Sequence, residues 1–183
     1  MPNREDYQLR KLEKSDLELV LNWRNSERIR ANMYTDHVIS LEEHLAWYER
    51  IKDDKISIYL ICEYQNKPIG LINFTNIDNK NNKCYWGFYL GEIDAPLGCG
   101  IVMEFLALEY IFEKVDIRKL CCEVLSFNDK VVKLHKKFRF NEEGIFKEHI
   151  YKNNQYQDVI CLALFKDIWL ENKEKLSKVV FRN

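Results

Sequence analysis

The sequence contains few glycine and proline residues, which commonly form turns and loops, and its positive and negative charges are nearly balanced. Its 183 residues include only six glycines and three prolines, and 28 lysines and arginines stand against 29 acidic residues. A formal net charge of −1 argues against a nucleic-acid partner, because nucleic-acid binders usually carry a strong basic excess. The length and the 46% hydrophobic content predict one globular domain over residues 1–183.

The sequence also lacks membrane-spanning and secretion signals. No apolar run approaches the roughly 18 residues of a transmembrane helix, and no apolar signal-peptide core follows the first residues. We therefore expect a cytoplasmic protein without a membrane partner.

The six cysteines form no C-x-x-C pair and mostly fall within apolar strands. That placement favours buried free thiols over a zinc site or a disulfide framework, and no bound metal is expected.

The order of predicted elements is that of an α/β domain. Apolar alternation predicts strands at 7–12, 56–64, 67–77, 84–90, 119–126, 140–151 and 156–165. Helical spacing predicts about four helices, which follow Asp16 and Ser40 and cover 101–114 and 129–138. The helical crossover at 101–114 makes its two flanking strands parallel in a mixed, mostly antiparallel central sheet. The core is expected at about 7–167, with the polar tail 173–183 outside it.

One turn has the composition of a phosphate-binding loop. The run Ala95-Pro-Leu-Gly-Cys-Gly100 leads directly into an apolar helix. Its two glycines allow backbone N–H groups to approach a ligand, and the N-terminus of the following helix attracts anions. The turn therefore predicts a pyrophosphate site formed by the amides of Leu97, Gly98, Cys99, Gly100 and Ile101.

Several residues between about Tyr7 and Asp167 carry a family resemblance. They are Gly98 and Gly100, then Asn128, His135 and the pair Arg139-Phe140. Their order resembles the GNAT superfamily of acyl-CoA-dependent N-acetyltransferases. The chain departs from that pattern with Ala95 in place of Arg or Gln, His135 in place of Tyr and Arg139 in place of Gly. The resemblance implies a GNAT fold, in which two parallel strands splay apart and the pantetheine arm of CoA enters the gap.

The same resemblance implies acetyl-CoA as the co-substrate. The arm is expected to bond to the backbone of Phe88, Tyr89 and Leu90 and to the Asn128 side chain. On the next helix, Lys130, Val131 and Lys137 complete the expected cofactor-binding set. The alternatives are a solvated helix face for the lysines and a plain helix cap for Asn128.

Two titratable residues are candidates for the catalytic roles. Glu123 lies within an apolar strand beside the expected gap, where a carboxylate is costly unless it is paired or faces a polar cavity. It is predicted to be the general base, acting through a water molecule, with a structural salt bridge as the rival. His135 occupies the usual Tyr position and is predicted to be the acid toward the CoA sulfur, with a packing role as the alternative. At the ordinary imidazole pKa of about 6.5, roughly one quarter of His135 would be protonated at pH 7.

A second set of motifs concerns the acceptor. Trp23-Arg24-Asn25, Met33-Tyr34, Ile39-Ser40-x-x-x-His44, the run 140–151 and Asp158-Val159 resemble one GNAT branch. That branch acetylates the 4-amino group of a UDP-linked 4-amino-4,6-dideoxy-N-acetyl-altrosamine during pseudaminic acid synthesis, by direct transfer in a ternary complex. The resemblance implies a nucleotide-sugar amine as the partner, and the expected substrate-binding residues are Arg24, Met33, His44, Asn73, Tyr85 and Tyr89.

Other acceptors and another class of protein remain open at this point. Ribosomal-protein N-termini and polyamines are basic, so they need an acidic patch, and the residues that could form one are Glu42, Glu43, Glu49, Asp53 and Asp54. A catalytically silent module that binds acyl-CoA or a nucleotide sugar is a further alternative. Exposed strand edges near the C-terminus are compatible with a homodimer.

Overall fold

The computed structural model describes residues 2–181, which form a seven-stranded sheet in the order β1-β2-β3-β4-β5-β7-β6. The strands are β1 (Tyr7–Lys11), β2 (Ile58–Tyr64), β3 (Lys67–Asp78), β4 (Lys83–Leu90), β5 (Lys119–Leu125), β6 (Asn141–Lys152) and β7 (Gln155–Phe165). Neighbouring strands pair antiparallel, except for β4 and β5, which are parallel. The predicted mixed sheet is confirmed.

Six α-helices lie within the described residues, where about four were predicted. They are α1 (Leu17–Asn25), α2 (Glu27–Arg30), α3 (Leu41–Ile51), α4 (Cys99–Glu109), α5 (Asp129–Lys137) and α6 (Lys166–Val180). The wider turn Tyr110–Lys114 extends α4. In the part of the chain described, no helix has the length and apolarity to cross a membrane.

Short turns without glycine connect two of the predicted strand pairs. Gln65 and Asn66 join β2 to β3 with φ angles of 48° and 62°. This is the left-handed conformation that two-residue hairpin loops require. Asn153 and Asn154 join β6 to β7 in the same way, with φ angles of 53° and 60°. Arg139 also has a positive φ, of 73°, so it adopts a glycine-like conformation at the position where the family pattern has Gly.

The two faces of the sheet bury different clusters because successive strand residues point to opposite sides. On β3, Ile72 and Phe74 join the larger cluster, which includes the apolar helix α4. Leu71 faces the other way and packs with Val20 and Trp23 of α1. The sheet is therefore covered by helices on both faces around β3 and β4.

The parallel pair opens after three residues. Lys83, Cys84 and Tyr85 of β4 pair with Lys119, Leu120 and Cys121 of β5, and the register ends there. From Trp86 in β4 and Cys122 in β5 onward, the two strands are no longer paired with each other. Over these residues β4 still pairs with β3, and β5 still pairs with β7. This is the splay that the family resemblance implied.

The C-terminal segment corrects the expectation of a polar tail. Residues 173–180 form the second half of α6, and Val180 and Phe181 are buried. Trp169 is fully buried, and both Trp169 and Phe181 meet the Phe105 ring of α4 at centroid distances of 5.2 Å. The core therefore extends to Phe181, while Arg182 and Asn183 lie outside the described residues.

Helix α3 buries little of its apolar surface. Ser40 caps it as expected by accepting a hydrogen bond from the Glu43 amide. Leu41 and Leu45 of this helix are exposed, and His44 is its buried residue. The helix covers the end of a cavity rather than the core, so its apolar side chains do not all find partners.

Candidate active site

A cavity of about 1150 Å³ runs through the splay between β4 and β5 toward α1–α3. It brings together most of the residues that the sequence predicted. Those lining it are Arg24, Met33, His44, Asn73, Tyr85, Phe88, Tyr89, Leu90, Gly100, Glu123, Asn128, Lys130, Val131 and His135. Leu97, Gly98, Cys99, Ile101 and Lys137 do not line it.

The predicted phosphate turn lies at the N-terminus of α4. Gly98 is the N-cap residue with a φ of 92°, a conformation that L-residues with side chains rarely adopt. A Cβ at Gly100 would meet nothing within 4 Å, so this first helical turn is open above its backbone. The α4 helix starts two residues earlier than predicted, which places both glycines at its N-terminal end.

Only some amides of that turn are available to a ligand. The amides of Cys99 and Ile101 donate to the carbonyls of Pro96 and Gly98, at 3.2 and 3.1 Å. Within residues 2–181, the amides of Leu97, Gly98 and Gly100 have no backbone acceptor outside the regular elements. The Cys99 thiol is buried and lies 3.4 Å from the Tyr7 hydroxyl, away from the cavity.

At the start of α5, the Asn128 side chain faces the cavity. Asn128 is the N-cap residue, but its side-chain amide makes no capping hydrogen bond within the described residues. The plain-cap alternative therefore does not account for the amide. Lys130 and Val131 also border the cavity, whereas Lys137 is exposed outside it.

The carbonyl end of β4 has a partner that the sequence did not suggest. The Arg28 guanidinium donates to the Leu90 carbonyl at 2.9 Å and to the Gly91 carbonyl at 2.8 Å. These carbonyls are therefore satisfied within the protein. The backbone of Phe88 and Tyr89 remains beside the gap that β5 leaves.

Glu123 lies in β5 just past the point of divergence, with its carboxylate in the cavity. Its hydrogen-bond partner is the Tyr34 hydroxyl, which donates to Oε2 at 2.6 Å. The partner is an uncharged hydroxyl rather than the cation of the rival salt bridge. Burial and the neighbouring Glu123 carboxylate both raise the pKa of Tyr34, which keeps that phenol protonated as a donor.

His135 forms a buried pair with Glu104, a residue that the sequence analysis did not select. The imidazole Nδ1 lies 2.8 Å from Glu104 Oε1, and the Cys122 side chain is a further polar neighbour. The rings of Trp86, Phe88 and Phe140 lie 5.1 to 6.2 Å from the imidazole.

The environment of His135 corrects the expectation of an ordinary imidazole. Although burial lowers the pKa of His135, the Glu104 carboxylate and the Cys122 sulfur outweigh it and raise that pKa to about 10. Glu104 could have been found from the sequence, because it is a carboxylate inside the apolar run Ile101–Leu108. The same signal identified Glu123.

The end of the cavity formed by α1–α3, called the acceptor end because the predicted acceptor-binding residues Arg24, Met33 and His44 line it, contains two buried polar atoms without partners among the described residues. Arg24 Nη2 donates to the carbonyl and hydroxyl of Thr35 at 2.9 and 3.0 Å, while its buried Nη1 has no acceptor. His44 is 4% exposed, and its Nε2 is also unpartnered. Burial lowers the pKa of His44, so the ring is neutral. Both atoms are suited to a polar ligand.

Aromatic and apolar side chains surround these polar atoms. Met33 and Tyr89 pack against the second core cluster, and each also exposes part of its side chain to the cavity. Burial raises the pKa of Tyr85 and of Tyr89, which keeps both phenols neutral. Two further lining residues, Trp47 and Tyr59, were not predicted. The Trp47 ring stacks on His44 and meets Tyr59 edge-on at 5.2 Å.

A buried lysine holds the loop that carries Met33 and Tyr34. The Lys152 Nζ, at the end of β6, donates to the carbonyls of Arg30 and Met33 at 3.2 and 2.9 Å. Asp36 lies 3.3 Å from the same nitrogen. The β6–β7 hairpin therefore fixes one wall of the acceptor end.

The family model described as an acetyltransferase (GNAT) domain matches residues 9–161. The chain belongs to the GNAT acetyltransferase family. It is an acetyl-CoA-dependent N-acetyltransferase, as the resemblance implied. In the part described, no three His, Cys, Asp or Glu residues are arranged to hold a metal ion.

Two kinds of curated relative resemble this GNAT chain. Acetyltransferase PseH of Campylobacter jejuni is 31% identical over 76% of this chain and 86% of its own. Spermidine N(1)-acetyltransferase of Vibrio cholerae is 25% identical over 91% and 96%. A crystal structure of the Vibrio cholerae spermidine N-acetyltransferase with CoA and spermine superposes with a TM-score of 0.86 at 24% identity, over 91% of this chain and 99% of the other. This similarity shows the shared fold.

Proposed function

We propose that the acceptor is the 4-amino group of a UDP-linked 4-amino-4,6-dideoxy sugar, as in UDP-4-amino-4,6-dideoxy-N-acetyl-altrosamine. The observation that carries this proposal is the charge of the acceptor end. Arg24, Arg28 and Arg50 line it against the two carboxylates of Glu43 and Glu123. A cationic wall attracts a nucleotide diphosphate, and guanidinium groups bind phosphate oxygens well.

The same charges disfavour a polyamine, whose several ammonium groups need carboxylates. Of the five acidic residues at 42–54 that could form a patch, only Glu43 lines the cavity, and it pairs with His37 at 3.0 Å. Glu49 pairs with Lys52, and Asp54 accepts hydrogen bonds from Ile56 and Ser57. The acidic patch expected for a basic acceptor is therefore largely satisfied by local contacts.

Apolar and aromatic groups in the cavity suit the other parts of such a substrate. Met33, Tyr85 and Tyr89 offer a surface for a 6-deoxy methyl group, and Trp47 and Tyr59 offer faces for a pyrimidine base. The identity of 30 and 31% to the two relatives named acetyltransferase PseH supports this substrate class.

The proposed chemistry is direct transfer in a ternary complex. Glu123 takes the proton of the attacking amine while the nitrogen bonds to the thioester carbonyl carbon. A backbone N–H near Tyr89 or Leu90 polarises the carbonyl oxygen. The carbon–sulfur bond then breaks, its electron pair goes to sulfur, and His135 protonates the departing thiolate. Solvent restores the two side chains to their starting states.

Mass spectrometry of parallel reactions tests the acceptor. The protein is incubated with acetyl-CoA and either the UDP-amino sugar or spermidine at equal concentration. We expect acetylated sugar to form with the larger kcat/KM. A larger kcat/KM for spermidine would overturn the proposal in favour of the polyamine alternative, which the long match to the Vibrio cholerae enzyme supports.

A substitution ties the result to the charged wall. Arg24→Gln is expected to raise the KM for the UDP-amino sugar at least tenfold, the loss typical of one charge-assisted hydrogen bond. Arg118→Gln is the matched control, because Arg118 lies over the Phe165 ring outside the cavity. An unchanged KM in Arg24→Gln would contradict the assigned role of Arg24.

A further inference from the structure

The Glu104–His135 pair is an ionisable pair inside the core. Glu104 is 0% exposed in the middle of α4, and His135 is 3% exposed on α5. A carboxylate in this position is costly without a partner, and one of its oxygens, Oε2, has no hydrogen bond within the described residues. His135 is also the only member of the pair that lines the cavity.

The contact with Glu104 indicates where the proton resides. A carboxylate buried without a cation beside it is costly, so the pair favours an imidazolium at His135. The Glu104 carboxylate of α4 lies 2.8 Å from His135 Nδ1, and the Cys122 side chain of β5 also faces the imidazole. These are the titratable groups that face it, because the side chains of Trp86, Phe88 and Phe140 around the ring do not titrate.

We propose that Glu104 is a positioning residue that keeps His135 as an imidazolium, so that His135 can protonate the departing CoA thiolate. This inference deepens the proposed function and rests on His135 acting as the acid. The proton passes from the imidazolium to the sulfur that receives the electron pair of the broken carbon–sulfur bond. The imidazole is left neutral beside Glu104 and regains a proton from solvent before the next cycle.

The substitution of His for the family's Tyr explains why a carboxylate is needed. A phenol is a proton donor in its neutral form, so it can be buried without a charged partner. A buried imidazole without a counter-ion loses its proton, because burial disfavours the charged form. With Glu104 replaced by an uncharged group, most of the His135 imidazole would be neutral at and above pH 7.

Titration of selectively labelled histidines by NMR tests the first half of the proposal. The four histidines can be assigned with His135→Gln as the reference variant. In the wild type we expect the His135 imidazole to stay protonated up to about pH 9. In Glu104→Gln it should lose its proton at or below about pH 6.5. A neutral wild-type imidazole at pH 7.5 would overturn the proposal whether or not the variant folds.

The pH dependence of kcat tests the second half, with whichever acceptor mass spectrometry identifies. For Glu104→Gln we expect kcat at pH 8 to be about 30-fold below the wild type, because about 3% of a group with a pKa of about 6.5 is protonated there. The deficit should shrink toward pH 6. Glu109→Gln is the control, since Glu109 ends the same helix and pairs with Arg4 and Lys173 outside the cavity.

The outcomes separate this inference from the acceptor proposal. A merely structural role for Glu104 predicts a lower melting temperature and a kcat that is reduced equally at all pH values. The pH at which kcat declines on the alkaline side would then be the same in Glu104→Gln as in the wild type. That result would reject the positioning role. The NMR titration needs no acceptor, so it remains decisive even if the UDP-amino sugar is not a substrate.

Discussion

Buried polar atoms without partners are concentrated at this active site. Within the described residues they are Arg24 Nη1, His44 Nε2, Trp86 Nε1 and Glu104 Oε2. Three of the four residues line the cavity, and the fourth holds His135. Native proteins satisfy nearly all buried polar groups, so we expect the three exceptions that line the cavity to contact a ligand.

Glu123→Gln is expected to lower kcat by about 10² to 10⁴, the usual loss for a general base. The amide has the size of the carboxylate but cannot accept the proton of the amine. The KM for acetyl-CoA should stay within about twofold, because the pyrophosphate turn is untouched. Steady-state kinetics with both substrates varied measures the two effects.

Tyr34→Phe is the matched variant for that prediction. It removes the hydroxyl that donates to Glu123 but leaves the carboxylate in place. We expect a loss in kcat of no more than about tenfold, in line with one hydrogen bond. Equal losses in the two variants would assign the effect to the position of the Glu123 side chain rather than to its basicity.

At the scale of elements, the structure keeps the predicted order and adjusts the ends. The β2–β3 hairpin was predictable because Asn and Gln occupy a two-residue loop between apolar strands. The last helix was not, since Lys and Glu dominate residues 171–178 and hide the stripe of Trp169, Leu176 and Val180. A stripe of three residues in a helix of 15 is too sparse to identify a buried helix face from the sequence alone. The burial of these residues depends on packing against the core cluster that includes α4.

Trp169→Ala is expected to destabilise the protein by about 3–5 kcal/mol, the range for a fully buried large aromatic residue. Its ring packs against Phe105 and Phe112, and its indole N–H donates to Glu113 at 3.0 Å. Chemical denaturation followed by circular dichroism measures the change in the free energy of unfolding.

Leu170→Ala supplies the comparison, because Leu170 is 51% exposed on the same helix. Its substitution should change the free energy of unfolding by no more than about 0.5 kcal/mol, as for most surface positions. Similar losses in the two variants would mean that α6 does not pack on α4 as described.

At the scale of the whole molecule, one sheet joins the two halves of the site. The N-terminal part supplies the cavity wall from α1 to α3, where the acceptor is proposed to bind, and the later part supplies Gly100 of the predicted phosphate turn, Asn128 and His135. The sequence could predict which residues meet there once the family order was recognised. It could not predict Arg28, Trp47 or Lys152, whose roles depend on contacts across the fold. The homodimer remains a prediction.

An ion-pair cluster of Arg10, Asp16 and Glu63 connects β1, β2 and the start of α1, and the stability of the protein should depend on pH through this cluster. Arg10 donates to both oxygens of buried Asp16, at 2.7 and 2.8 Å, and to Glu63 at 2.6 Å. Although burial opposes it, hydrogen bonding from Arg10 lowers the pKa of Asp16 below its ordinary value of 3.8. Its stabilising effect is therefore present above about pH 4 and is lost as the pH falls through the lowered value.

Asp16→Asn is expected to lose about 2 kcal/mol at pH 7, as for hydrogen bonds to a charged group. The difference from the wild type should narrow below about pH 4, because the wild type then protonates Asp16 while the variant does not titrate there. Thermal melts between pH 3 and pH 7 measure the difference in stability between Asp16→Asn and the wild type. Asp53→Asn, at an exposed position, should differ from the wild type by the same small amount at every pH. If the difference for Asp16→Asn did not change with pH, the stabilising role of the ionised Asp16 would be contradicted.

The Lys152 contacts have a consequence for redesigning this enzyme. The nitrogen that holds the carbonyl of Met33 belongs to a residue 119 positions later in the chain. If the loop at 31–36 were transplanted without the β6–β7 hairpin, the Met33 carbonyl would lose its hydrogen bond from Lys152. If the hairpin were transplanted alone, the buried Lys152 nitrogen would lose its acceptors. In this chain the loop and the hairpin therefore have to be exchanged together, because each supplies the other's buried hydrogen-bond partners.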